Sequence, residues 1–297
     1  MLPSVPPTPP IQTFRQYKTQ SIRGPLGLML QADNTDRVPT TADTPHISIL
    51  IKKGTKLFIP EESHIPMYRT NGKIRGKSLI INNIKFKHKH TRDGAHNDST
   101  NMFNLLKALD LNPKEKNNLT AGQISKTLQH FSNNSELDKV DICFIVIMSY
   151  GKGSVNDMTE IYGVDEGLIK VHDIISHFAS NRCKKLAGKP KVFIFQCSRD
   201  SADNKGIEFD ARPPTPPPHL GDMLIAYSTM PGFPSGRNLE LGSYYIREIC
   251  NVFMRHACDL HLEDMFKIIE NNLKNRTIQQ HTSYENKSFQ NCYLNPK

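Results

Sequence analysis

Cys197 and Ser198 stand side by side where an apolar run ends, in Lys191-Val-Phe-Ile-Phe-Gln-Cys-Ser-Arg-Asp200. A cysteine is a good nucleophile because its pKa lies near neutrality and an adjacent histidine can take its proton. A serine hydroxyl is far harder to deprotonate and needs a well-placed base. Neighbouring side chains on a strand point to opposite faces, so one cleft can be served by Cys197 or by Ser198 but not by both. A second apolar run, Asp141-Ile-Cys-Phe-Ile-Val-Ile-Met148, leads into Ser149-Tyr150-Gly151. The large side chain after that run is a phenol. Phenols have a reference pKa of about 10, stay protonated at neutral pH and accept protons poorly.

The elements around these two runs alternate. Ser78 to Asn83 is a short apolar, β-branched stretch and reads as a buried strand. Ala95 to Leu109 places Met102, Phe103, Leu105, Leu106 and Leu109 at helical spacing. Thr120-x-x-Gln123 is a capping box opening a helix with Ile124, Leu128 and Phe131 on one face. Val140 to Met148 is apolar enough for a central parallel strand. Further helices are expected over Val171–Ala179, Ser243–Cys258 and Leu262–Leu273, and further strands over Lys191–Phe195 and Met223–Ser228. Alternating strands and helices imply a mostly parallel sheet covered on both faces. The core begins, on this reading, near Tyr68.

These segments, in order, resemble the caspase family. Gly188-Lys189-Pro190-Lys191 with Gln196 is similar to the strand before the family nucleophile, whose signature is Gln-Ala-Cys-Arg-Gly. Ile80-Ile81-Asn82-Asn83 resembles the first family strand, and Arg92-Asp93-Gly94-x-x-x-Asp98 the family's Arg-x-Gly-x-x-x-Asp. Ala226-Tyr227-Ser228-Thr229-x-Pro231-Gly232, Ser235-x-Arg237-Asn238 and Tyr293-Leu294-Asn295-Pro296 resemble the small-subunit half. The resemblance covers roughly residues 68–297. It implies an α/β fold of three layers, α/β/α, with a mostly parallel central sheet.

Laid on the signature, Gln196 and Arg199 match, Cys197 falls on the alanine, Ser198 on the catalytic cysteine, and Asp200 replaces the glycine. The family base, a histidine in Ser-His-Gly about fifty residues upstream, falls on Tyr150. Gly151 keeps the backbone amide of the oxyanion position. A donor without nucleophile or base does not catalyse, so the resemblance implies an inactive homologue. Two alternatives stand beside it. One is an active Asp-directed cysteine endopeptidase working through Cys197 or Ser198. The other is a decoy that binds Asp-containing peptides. The family's acidic-residue pocket, two arginines and a glutamine around one carboxylate, falls on Arg92, Gln196 and Arg237. Gly236 stands where the family has tryptophan, and Pro234 where an aromatic is common, so the neighbouring apolar subsite is expected to be shallow.

The chain divides into a Pro/Thr-rich tail (1–45), a large-subunit-like region (46–210), a Pro-rich linker (211–221) and a small-subunit-like region (222–297). Asp210 corresponds to the family's processing aspartate; Asp36 and Asp43 in the tail read as solvated residues. The 297 residues carry a net charge of +9. The densest basic cluster, Lys85 to His90, reads as a solvated loop, and no nucleic-acid partner is expected. No apolar run reaches the roughly 18 residues of a membrane span, and the N-terminus lacks a signal peptide's basic and apolar regions. A cytoplasmic protein that does not bind membranes is the expectation. The six cysteines show no Cys-x-x-Cys spacing and read as reduced, mostly buried thiols, with no metal and no cofactor. The expected partner is an active caspase, met side by side as in the family's dimers. The strand that would pair, Gln279 to Lys287, is almost wholly polar, so at most a weak homodimer is expected.

Overall fold

The structure is a computed structural model that describes residues 44–54, 64–153, 159–200, 219–276 and 280–296. The N-terminal tail up to residue 43, with Asp36 and Asp43, lies outside them, as do Asp210 and the prolines of the linker.

In chain order the elements are β1 (Ile74–Asn82), α1 (Ala95–Ala108), β2 (Pro113–Asn117), α2 (Ala121–Ser132), β3 (Val140–Met148), β4 (Gly151–Lys152), β5 (Glu160–Tyr162), β6 (Leu168–Lys170), α3 (Val171–Ser176), β7 (Lys191–Gln196), β8 (Met223–Tyr227), β9 (Arg237–Asn238), β10 (Gly242–Ser243), α4 (Tyr244–His256), α5 (Leu262–Lys274) and β11 (Ser283–Lys287). Six of the strands form one sheet in the order β11-β8-β7-β3-β1-β2. All its neighbours are parallel except β11, which runs antiparallel to β8 at the edge. Two small antiparallel sheets, β4-β5-β6 and β9-β10, sit apart from it.

Alternation along the central strands feeds two cores. Ile142, Phe144, Val146, Val192 and Ile194 pack under α1, α4 and α5. Cys143, Ile145, Ile147, Phe193 and Phe195 pack under α2 and α3. The result is three layers, as the resemblance implied. Thr120 and Gln123 form the expected capping box, with Thr120 Oγ1 accepting from Gln123 N at 3.2 Å.

Several boundaries differ from the sequence reading. The chain is already packed before Tyr68: Ile47 is buried in the α1/α4/α5 core, and its N–H donates to Asn101 Oδ1 at 2.9 Å. Arg247 Nη1 reaches back to Thr44 O at 2.9 Å, and Lys52 N to Met254 O at 2.8 Å. The helix expected to Ala179 ends at Ser176, because Phe178 N and Ala179 N bond three residues back, to Ile175 O and Ser176 O. The carboxyl-terminal edge strand starts at Ser283, not Gln279, which lies outside the described residues. The Lys85–His90 segment is a mostly exposed loop.

Candidate functional site

The register between β3 and β7 places Met148 opposite Gln196, so the two strands end level. Ser149 N continues the ladder onto Gln196 O at 3.1 Å. Everything after these residues therefore emerges at one rim of the sheet. There Arg92, Ser149, Tyr150, Gln196, Cys197, Ser198, Ser235 and Arg237 line a cavity of about 210 Å³. The structure thus brings together every residue that the sequence placed in the dyad or the acidic pocket.

Ser198 continues the face of Gln196, and its Oγ accepts from Ser235 N at 3.1 Å. The hydroxyl of Tyr150 donates to His90 O at 3.1 Å, and the ring packs edge-on against Phe86. Tyr150 is thus engaged by the loop after β1 and not by Ser198. Gly151 holds the rim closed: a Cβ there would sit 2.8 Å from Ser198 O and 2.9 Å from Cys197 Cβ.

Cys197 touches the cavity wall but is 2% exposed and belongs to the α2/α3 core with Phe195 and Tyr227. Its backbone exchanges hydrogen bonds with Ser228 Oγ, N to Oγ at 3.2 Å and Oγ to O at 2.9 Å. Burial pushes its thiol up to about 12, against the attraction of Arg199 and Arg92. A thiol held so far above neutrality carries almost no thiolate.

Two guanidinium groups meet across the cavity. Arg92 is fully buried; its Nη1 donates to Asn83 O at 2.8 Å and Asn82 Oδ1 at 3.2 Å. Burial, and then the like charge of Arg237, pull its pKa down to about 10, while Asp98 opposes them. Arg237 Nε donates to Asp93 O at 2.9 Å. Gln196 Nε2 donates to Ser235 Oγ at 2.9 Å, which leaves its Oε1 buried without a partner. The reversed amide is equally compatible with a serine hydroxyl, because Ser235 Oγ–H then donates and the NH₂ is left for an incoming anion. Two forked cations and an amide around one small space suit a carboxylate. Beside them Gly236 is packed closely, since a Cβ there would sit 3.1 Å from both Gln280 Oε1 and the Tyr244 ring, and Gln280 Oε1 accepts from Gly236 N at 3.0 Å. Pro234 and Phe233 are exposed on the adjoining turn.

Sequence reasoning assigned no role to Ser235, Asn82, Asp98 or Arg199. Each lay inside a quoted motif, but its function depends on contacts across the fold. Replacing Arg237 by alanine is expected to weaken binding of an Asp-ending peptide aldehyde about tenfold or more, since a hydrogen bond to a charged group contributes roughly 1.5–3 kcal/mol. Calorimetric titration measures it; unchanged binding contradicts the pocket.

Among the described residues no cluster of three His, Cys, Asp or Glu side chains is placed to hold a metal, and no helix is long and apolar enough to cross a membrane. All six cysteines are buried and unpaired.

The fold is therefore a mostly parallel α/β sheet whose strand ends carry Ser198, Tyr150 and a two-arginine cavity. The Caspase domain family (Peptidase_C14) matches residues 75–293, and the chain belongs to the caspase family. Caspase Dronc of Drosophila melanogaster is 27% identical over 293 residues, covering 87% of this chain and 65% of that protein. Human caspase-10 is 31% identical over 195 residues, 62% of this chain and 36% of that protein. Rabbit (Oryctolagus cuniculus) caspase-3 is 34% identical over 192 residues, 61% of this chain and 66% of that protein. The chain thus spans about two thirds or less of these relatives' lengths. The crystal structure of the Drosophila initiator caspase Dronc superposes with a TM-score of 0.70 at 25% identity, covering 85% of this chain and 98% of that one.

Proposed function

We propose that this chain is a catalytically inactive caspase homologue that acts in the cytosol by associating with an active caspase, in the cell-death setting that relatives such as Cell death protein 3 of Caenorhabditis remanei suggest. One observation carries the reading: among the described residues lining the cavity there is no His, Asp or Glu, and the thiol on its wall is sealed in the core. Peptide cleavage through a side-chain nucleophile needs a proton acceptor within hydrogen-bond reach, and Ser198 is given a backbone donor instead.

Association rests on β11. It is an edge strand, and edge strands offer unpaired backbone groups to another strand. Its own side chains are largely engaged within the chain. Tyr284 and Asn286 bond Glu263 at 3.2 and 2.9 Å, and Glu285 accepts from Tyr227 at 3.0 Å and pairs with Lys287 at 2.9 Å. Little apolar surface remains to hold two copies together, whereas a caspase with a more apolar edge supplies it.

Analytical ultracentrifugation at micromolar concentration is expected to show a monomer or weak homodimer alone, and a heavier species when an active caspase from the same cell is added. A tight homodimer indifferent to every caspase offered overturns the association. The rival reading, an active peptidase with unusual residues, is tested by a fluorogenic Asp-peptide assay on the purified chain. Turnover lost in Cys197→Ala establishes that rival.

A further inference from the structure

We infer that Asp98 is a positioning residue that holds the two guanidinium groups of the cavity in register, so that capture of an acidic side chain is coupled to uptake of a proton by the protein. This rests on the reading of the cavity as a carboxylate site.

The argument begins with connectivity. Arg92 precedes α1, and Arg237 lies on β9, more than a hundred residues later. Nothing local sets their separation. The β9–β10 hairpin is instead clamped onto the first turns of α1. Arg237 Nε reaches Asp93 O, and Asn97 Nδ2 reaches Glu240 O at 2.6 Å. Gly94, at φ +77°, approaches the hairpin so closely that a Cβ would lie 2.6 Å from Leu239 O. The innermost member of the clamp is Asp98. Its Oδ1 accepts from Ser243 N at 2.7 Å, and Ser243 is the β10 residue paired with Arg237. Gly242 is required there, since a Cβ would meet Asp98 Oδ1 at 2.5 Å.

The same carboxylate is the buried counter-charge of the cavity. Asp98 is fully buried, and its Oδ2 has no hydrogen-bond partner. A buried carboxylate with a free oxygen is costly unless compensated by nearby charge. The charged and titratable groups that act on it are Arg92 from the segment before α1 and Arg237 from β9, and the Cys250 thiol on α4 lies within its field. Burial nevertheless dominates and pushes Asp98 up to about 6, with the Ser243 hydrogen bond and the two arginines opposing.

The sign follows. With Asp98 ionised, the two arginines and Asp98 sum to one positive charge; with Asp98 protonated, they sum to two. An incoming carboxylate is therefore held more strongly by the protonated form, and its arrival raises the pKa of Asp98 further. The captured side chain, with a reference pKa of about 3.9, stays ionised through the same window.

The test measures binding of an Asp-ending peptide aldehyde to the full chain from about pH 7.5 to about pH 5, where a difference of one pKa unit corresponds to tenfold in affinity. Wild type is expected to bind about tenfold tighter at the acid end. Asp98→Asn keeps the acceptor for Ser243 N and is expected to bind with a flat profile, its fold checked by thermal unfolding. An equal slope in both proteins assigns the effect to histidines and overturns the inference. Carboxyl NMR titration of the unliganded chain supplies the independent arm. Asp98 should titrate near 6 and move upward in Arg237→Ala. An Asp98 with ordinary titration, unmoved by Arg237→Ala, overturns the coupling. If no peptide binds at any pH while Asp98 behaves as expected, the carboxylate-site reading fails and the coupling of Asp98 to the arginines stands.

Discussion

Neither the native chain nor Ser198→Cys is expected to cleave an Asp peptide above buffer, whereas Tyr150→His combined with Ser198→Cys should exceed either single variant by about a hundredfold or more. The expectation comes from splitting the mechanism between its two positions. General-base assistance contributes roughly 10²–10⁴-fold, and a thiol without an acceptor gains none of it. Position 198 is suitably placed, on the same strand face as Gln196 and at the cavity rim. Position 150 follows β3 at the level of β7, so an imidazole there would enter the same cavity, freed from the bond that the phenol makes to His90 O. The effects of the two changes should be strongly non-additive, because a nucleophile and its base act as one unit. Full activity from Ser198→Cys alone would show that another group supplies the base. Silence in the double variant, with Asp-peptide binding intact, would place the defect elsewhere. Asp200 is the first suspect, since it stands where the family has a glycine and its carbonyl is already bonded by Gly153 N at 3.2 Å.

The sequence was legible where local chemistry and burial agree. β3, Val140–Met148, is buried along nearly its whole length and could be bounded from composition alone. The Thr120 capping box fixed the start of α2 because both of its hydrogen bonds span only three residues. β2 was not legible. Its residues, Pro113-Lys-Glu-Lys-Asn117, have no strand propensity, and it is extended because β1 offers a parallel edge to its backbone. The strap at residues 44–54 was missed for the same kind of reason: only Ile47 is fully buried, with Ile49 and Ile51 half-buried against the core, and Asn101 and Arg247, which hold the strap, are distant in sequence. In the site, residue types gave the cavity's charged members. What positions them, Asp98 through Ser243 and Gln196 through Ser235, is tertiary and leaves no periodicity to read.

Arg199→Ala should cost about 3 kcal/mol of stability, taking the low end for hydrogen bonds to a charged group together with the loss of a stacked cation, and lower the melting temperature by on the order of 10 °C. Arg199 is 3% exposed and ties together three segments that are remote in sequence. Its Nε donates to Thr159 Oγ1 at 2.7 Å, its Nη1 to Ser283 Oγ at 3.1 Å and Thr229 O at 3.4 Å, and its guanidinium lies 4.1 Å from the Tyr227 ring centroid. Ser283 opens β11 and Tyr227 closes β8, so the same side chain seats the edge strand on the sheet. Truncation takes the donor from Thr159 Oγ1 and Ser283 Oγ, leaves Thr229 O with the 3.5 Å bond from Ser283 Oγ, and releases the edge at the position where a partner strand would add. Association with a caspase should therefore fall more than binding of an Asp-ending peptide, which depends on Arg92, Gln196 and Arg237 on the other side of the strand end. Differential scanning calorimetry gives the first quantity and ultracentrifugation of the mixture the second. A stable Arg199→Ala chain that still pairs normally would show that β11 is seated by its ladder with β8 alone. Arg199→Lys separates charge from geometry: a lysine keeps the cation over Tyr227 but cannot bridge Thr159 and Ser283 at once, so it should recover part of the stability and little of the pairing.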